Sequence, residues 1–466
     1  MVNQRWPGWL CGKFGILFLS LVLNSFIYIR NTLLKATSGW VLVVAPTKIS
    51  ALEILSEFRS DSHGNEVLIE YGDDTRRLFS STQSRAIRVV AAEKLLRALT
   101  SNLRIHQSSG LHLVLCEALE QMDPTYELAI SLLRLSTQSI PVRFIGISGS
   151  TNDSVDLARW LSVDDTAVHS FRPQDRDQSL ITTRQTFSIP YSNSLFKAMA
   201  KPAHRAIQDA PAGSQAIIFV PSRGQCRSIA LDLITRCTLE METGRGYIHD
   251  LISDDLIGDY CARFQDTSLL DFVQKGVGFF HPGIMKNDRN LMLEMFAEEI
   301  IRVLVVPKDS CWSLPTRAAV VVVMGTQYAH VEEAGGIREI KDYSLTEVVR
   351  MQSRAIQQSA TGHFHLFCQA ESLEIYSRFL EEGLPLESQL PDSQVLRNWV
   401  QSVYSSEADK QRIVDALSFT FLSQRVTSNP SYYSFTGRDR AENLSYITDE
   451  CVSYVSSQTK ERGEEK

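Results

Sequence analysis

Positive charge is in short supply in this chain, and that shortage is the first constraint on its function. Lys and Arg number 47 against 54 Asp and Glu over 466 residues, a formal net charge of -7. Sequence-independent affinity for nucleic acid comes mainly from clustered Lys and Arg. A general polyanion binder is therefore excluded, and any RNA contact has to be a local groove. Patterned cysteine is missing too: the eight cysteines, at 11, 116, 226, 237, 261, 311, 368 and 451, form no CxxC pair and no regular spacing. They read as reduced, mostly buried thiols of a cytosolic or nuclear protein, with no zinc site. No tandem repeat and no low-complexity segment occurs. The one long apolar run, FGILFLSLVLNSFIYI from Phe14 to Ile29, is flanked by Arg5, Lys13 and Arg30. It superficially resembles a signal anchor, but it is short for a span and is interrupted by Ser20, Asn24 and Ser25. A buried helix of an α/β domain is the alternative, and a membrane partner is not expected.

What is present is ordinary globular material, 44% hydrophobic and 22% charged, long enough for two or three domains. Short apolar runs alternate with amphipathic stretches, the pattern of parallel sheets covered by helices. Strands are expected at 41–45, 67–71, 87–91, 111–115 and 142–148, and again at 216–220, 277–280, 301–306, 318–324 and 364–368. Helices are expected at 127–135 and at 153–161, the latter with Ser154 as a cap. A polar, Pro-containing stretch around 172–193 reads as the linker between the two sets. Beyond Gly383 the strand-like runs stop and 394–426 carries helical periodicity, with Leu417, Phe421, Leu422 and Val426 as a core stripe. Pro430 should stop a helix there, with Tyr432 and Tyr433 following as anchors.

Several segments in fixed order carry a resemblance. APTKISA at 45–51, VVAAEKLLRAL at 89–99, LHLVLCEALEQM at 111–122, GISGSTNDSVDLARWL at 146–161, IIFVPSRGQ at 217–225, GVGFFHPGI at 276–284 and CWSLPTRAAVVVVMGTQY at 311–328 together resemble one cassette of the Ski-two-like superfamily-two RNA helicases. MAKPAHRAI at 199–207, LPLESQL at 384–390 and TFLSQRVTSNPSYYSF at 420–435 are most similar to the second, C-terminal cassette of its spliceosomal U-five members. The resemblance implies an α/β fold with two RecA-like parallel-sheet lobes, at 40–190 and 191–383, followed by a small, mostly helical, winged-helix-like domain and charged tail at 384–466. Residues 1–39 are then either a divergent relic of the first lobe or an anchor. It also implies that Pro46, Thr47, Lys201 and Arg223 lie in segments lining or supporting an RNA channel.

The chain departs from the family where ATP would be handled. Hydrolysis needs an Asp to hold the magnesium-phosphate assembly and a Glu to orient water. Here that pair is Cys116-Glu117, and a soft thiol is a poor ligand for magnesium. The phosphate loop survives only as GWLCGKF at 8–14, with Gly12 and Lys13 as weak relics and Phe14 in place of the hydroxyl. In the arginine motif, Arg354 matches the first arginine and Gln357 takes the place of the second. Losing an arginine finger costs roughly a thousandfold or more in rate. The motif coupling nucleotide to RNA has Pro307, Ser313 and Pro315 in place of its Thr, Gly and Asn. No catalytic residue is expected beyond the relics Glu117 and Arg354, and no cofactor, with ATP and magnesium binding only if a residue of the site survives. Cys116 reads as inert packing and His281 as a structural histidine. The expectation is a helicase-like pseudoenzyme that binds protein partners of a ribonucleoprotein, spliceosomal by resemblance, in the nucleus. A diverged ATP-dependent RNA helicase is the alternative.

Overall fold

The computed structural model describes residues 39–464 apart from the short segments 61–66, 82–84, 102–104, 106–109, 176–178, 212, 242–244, 250, 332–337, 358–359, 405–408 and 437–438. The apolar run at 14–29 and the relics Gly12 and Lys13 lie outside the described residues. Among those described, no helix is long and apolar enough to cross a membrane. Two compact units form, one holding Gln174–Glu381, the other joining the described residues up to Pro173 with those from Glu382 onward.

The second of these is built on a five-stranded parallel sheet, order β2-β3-β1-β4-β5. Its strands are β1 (Trp40–Ala45), β2 (Leu68–Tyr71), β3 (Ala86–Ala91), β4 (Leu111–Cys116) and β5 (Arg143–Gly146). β1 and β3 are buried along their whole length, which is why β1 reads as an unbroken apolar run and β3 as one broken only by Arg88. Alternate residues serve different cores. Val41, Val43 and Ala45 pack with Ala51, Ile54, Leu55 and Phe58 of α1 (Lys48–Ser60), whereas Trp40, Leu42 and Val44 face a larger cluster. The lone charge in β3, Arg88, is buried because it has partners: Glu70 at 2.5 Å, the carbonyls of Leu78 and Ser80 at 2.9 and 2.8 Å, and the Trp40 ring 4.4 Å away.

That larger cluster explains the C-terminal region. It combines α2 (Ala92–Ser101), α3 (Pro124–Ser136) and α4 (Ser154–Trp160) with α11 (Gln394–Val403), α12 (Asp409–Ser418), α13 (Phe421–Ser428) and α14 (Arg440–Glu464). Leu417, Phe421, Leu422 and Val426 are fully buried in it, as their spacing predicts. At roughly 1.5–3 kcal/mol per buried large aliphatic or aromatic side chain, this stripe alone ties the C-terminal helices firmly to the first sheet. Polar locks fix their register. The Glu127 carboxylate of α3 accepts from the Leu422 N–H at 2.7 Å and the Ser388 hydroxyl at 2.6 Å. Arg425 of α13 meets Asp153 at 2.8 Å, Asp156 at 2.6 Å and both oxygens of Glu387. The region is helical, and among its described residues there is no strand, so a winged element is not observed.

The other unit holds a six-stranded parallel sheet, order β6-β13-β10-β7-β9-β8. The strands are β6 (Leu180–Phe187), β7 (Ala216–Val220), β8 (Val277–Phe279), β9 (Val303–Pro307), β10 (Val320–Met324) and β13 (Gly362–Gln369). The VVVVM run of β10 lies at its centre, fully buried. A two-stranded antiparallel ribbon, β11 (Gln327–Val331) and β12 (Arg338–Asp342), follows β10. Flanking helices include α5 (Asn193–Gln208), α6 (Arg223–Met241), α7 (Asp254–Cys261), α8 (Lys286–Ala297), α9 (Leu345–Ser353) and α10 (Leu373–Glu382).

Three sequence expectations are corrected. The stretch read as a linker contains β6, which pairs along its length with β13, so the division falls at Pro173/Gln174 and not at 190/191. β6 is an edge strand, and its polar alternation hid it. Asp153, not Ser154, is the N-cap residue of α4, and its carboxylate bonds Arg425 and the Leu386 N–H instead of capping. Tyr433 anchors through its hydroxyl, 2.9 Å from Glu387 and accepting from the Ser388 N–H, but Tyr432 is 57% exposed and only stacks edge-on against Tyr433.

Candidate functional site

Ligands of parallel sheets sit at the carboxyl ends of the strands, so each sheet presents its own edge. In the first, β1 runs out into Pro46, which is buried, and Thr47, which is exposed. The Thr47 hydroxyl accepts from the Ser50 N–H at 3.1 Å and so caps the start of α1. β4 ends in Cys116, which pairs with Val44 and Gly146 and is 0% exposed. Burial pushes its thiol far above the ordinary range, so it stays neutral and faces packed apolar side chains. Glu117 is buried beside it, and its carbonyl accepts from the buried Tyr126 hydroxyl. Ala118 then adopts a left-handed conformation, φ 56°, a strained turn for a residue with a Cβ. Two residues further, the buried Glu120 carboxylate accepts from the Gly149 N–H at 2.8 Å and reaches the Ser148 hydroxyl at 3.4 Å. The chain thus uses its own carboxylate to satisfy the loop after β5, a role sequence reasoning missed because nothing local pairs Glu120, inside the 111–122 segment, with residues 148–149.

In the second sheet, the edge above β7 and β8 gathers cations. Arg223 opens α6, Arg227 lies one turn on, and Arg289 of α8 sits 5.6 Å from the Phe280 ring. All three act on His281: burial first, and then these guanidinium groups, hold its imidazole below the ordinary range. Its Nδ1 accepts from the Gly283 N–H at 3.1 Å, a structural role. Arg227 is steadied by the Ser268 hydroxyl at 2.7 Å. Of the residues expected to face RNA, Arg223 joins this group, while Lys201 is exposed on α5. Arg227 could have been found from its spacing of four residues after Arg223 on a helix; Arg289 could not, being brought in from α8.

The arginine-bearing helix is α9. Arg354, just past its end, is buried and donates to the Cys311 carbonyl at 3.3 Å, and Arg350 lies 5.8 Å from the Trp312 ring. Gln357 is partly buried beyond them. Pro307 ends β9 opposite Val220, and Pro315 is exposed in the loop that follows.

Comparison with known proteins gives the order of these segments its meaning. No protein-family model matches the chain. The human U5 small nuclear ribonucleoprotein 200 kDa helicase is 31% identical over 337 residues, covering 71% of this chain and 15% of that protein. The chain is a homologue of the Ski-two-like DExH-box RNA helicases. The Schizosaccharomyces pombe pre-mRNA-splicing factor brr2 is 29% identical over 341 residues, 71% of this chain and 14% of its own length. The Arabidopsis thaliana DExH-box ATP-dependent RNA helicase DExH12 is 28% identical over 347 residues, 72% and 15% respectively. The chain therefore spans about 15% of the length of the curated relatives it matches. Against this helicase homology the two parallel-sheet units are its RecA-like lobes. Cys116, at the end of β4, presents a buried neutral thiol and no oxygen, a poor ligand for a hard cation such as magnesium. Among the described residues no group of His, Cys, Asp and Glu is arranged to hold a metal.

Proposed function

We propose that this chain is a helicase-like pseudoenzyme, a protein-interaction and scaffold module of pre-mRNA splicing or a related ribonucleoprotein, working in the nucleus with little or no ATP hydrolysis. The observation that carries this reading is Cys116, fully buried in the position of the metal-binding Asp, with a thiol that burial keeps protonated. Gln357 in place of an arginine and the engagement of Arg354 by the Cys311 carbonyl add to it. Without a nucleotide whose binding differs between two lobe arrangements, no cycle can be driven, and the lobes serve as a static platform. The splicing context comes from the relatives' names.

The alternative, a diverged ATP-dependent RNA helicase, draws support only for its RNA-binding half, from the Arg223, Arg227 and Arg289 cluster. Magnesium-dependent binding of an ATP analogue and RNA-stimulated phosphate release separate the two readings. The purified chain is expected to show neither, whereas sustained turnover that survives removal of contaminating enzymes overturns the pseudoenzyme reading. The comparison protein carries Cys116→Asp and Gln357→Arg.

A further inference from the structure

The turn after β9, residues 308–312, is fastened to α9 at three successive points. Lys308, only 6% exposed, places its ammonium 2.7 Å from Asp309 and 3.0 Å from Glu347 in the first turn of α9. The same ammonium lies 4.0 Å from the Tyr328 ring of β11 and 5.8 Å from that of Tyr343. Glu347 is itself fixed by a capping box with Ser344. One turn along the helix Arg350 lies over Trp312, and past its end Arg354 donates to the Cys311 carbonyl. The three contacts use residues 347, 350 and 354, a spacing that lies along one face of a helix. Each joins a cation to something the chain supplies: a carboxylate, a ring, a carbonyl. A buried ammonium with two carboxylates and two aromatic rings has its charge matched within the fold. Burial alone would lower the Lys308 pKa, and Asp309 and Glu347 more than offset this, so the group stays charged.

We propose that Lys308 closes a ligand-independent latch, fastening the 308–312 turn to the first turn of α9 so that the helix leading to Arg350 and Arg354 is held in one position by the chain itself. The internal cation orders the turn against Glu347, and Trp312 and the Cys311 carbonyl of that same turn engage the arginines farther along the helix face. The latch deepens the scaffold reading and rests on it, since an ordered turn that needs no ligand is useful in a platform and an obstacle in a motor.

Hydrogen–deuterium exchange on the full chain tests it, using Lys308→Met, Glu347→Gln and Lys308→Arg, each with and without magnesium and the analogue AMP-PNP. Lys308→Met and Glu347→Gln should each raise exchange about tenfold across 308–315 and 345–354 while leaving α3 unchanged, and Lys308→Arg should largely restore protection. Adding AMP-PNP to the unaltered chain should leave these peptides unmoved. Exchange in both opened variants within about twofold of the unaltered chain overturns the latch. So does protection that appears only with AMP-PNP. If Lys308→Met does not fold, Glu347→Gln, which keeps size and removes one charge, decides by the same two outcomes. Phosphate release by the unaltered chain, with the latch peptides still opening in the variants, sinks the scaffold reading and leaves the latch standing.

Discussion

Glu127 offers the sharpest quantitative test. It sits on α3, 1% exposed, and its carboxylate bonds the Leu422 N–H and the Ser388 hydroxyl, so the C-terminal helices rest on it. Burial pushes its pKa up to about 7 from the ordinary 4.5, against the opposing pull of Ser388 and the N–H groups of Leu422 and Phe421. The folded state therefore holds the proton more tightly than the unfolded chain. The stability this contributes is fully present below about pH 4.5 and is lost as pH rises through about 7. Over the whole range the shift corresponds to about 3 kcal/mol, of which about 2 kcal/mol falls between roughly pH 5.5 and 8.5. Other groups titrate in that window, so the informative quantity is the difference between the unaltered chain and Glu127→Gln, whose amide keeps the acceptor for Leu422 and carries no charge at any pH. In urea unfolding followed across that window, Glu127→Gln should gain about 2 kcal/mol on the unaltered chain as pH rises. A difference that stays flat with pH, to within about 0.5 kcal/mol, refutes the reasoning. Glu127→Ala, which strands the Leu422 N–H and the Ser388 hydroxyl, should cost about 2–4 kcal/mol near pH 5.5, and by the same linkage that cost should shrink by about 2 kcal/mol as pH rises to about 8.5.

Three further outcomes follow from the same contacts. Arg425→Met leaves Asp153, Asp156 and Glu387 facing one another without their cation and should cost about 3–5 kcal/mol, read as early proteolytic release of the C-terminal helices. Cys116 should resist maleimide in the native protein while the partly exposed Cys261 is labelled, as mapped by mass spectrometry; rapid native labelling of Cys116 contradicts its burial. If the cation cluster touches RNA, Arg223→Ala with Arg289→Ala should weaken binding of a short single-stranded RNA and flatten its salt dependence by about 0.7 log units per lost phosphate contact, measured by fluorescence anisotropy.

The amino-acid order by itself determined the α/β class and most of the strands. Runs such as WVLVVA, AIIFV and VVVVM, short, apolar and rich in β-branched residues, read as buried parallel strands, whereas α3 was expected only from Glu127 and starts at Pro124 behind the cap Asp123. It also carries the motif order, and with it the helicase homology. The edge strand β6 was invisible because one side of it needs no apolar partner, and the ribbon of β11 and β12 because its exposed residues carry no core pattern. Only the folded chain decided that the C-terminal helices join the first sheet. Arg425 and Asp153 stand 272 residues apart, as Glu127 and Leu422 stand 295 apart, and no local preference encodes such a meeting. The latch of Lys308 and the three arginines around His281 are of the same kind. Their residues come from different elements and acquire a role because packing brings them together, and around the buried Lys308 it does so in a low-dielectric neighbourhood, where interactions too weak to matter in water decide which arrangement holds.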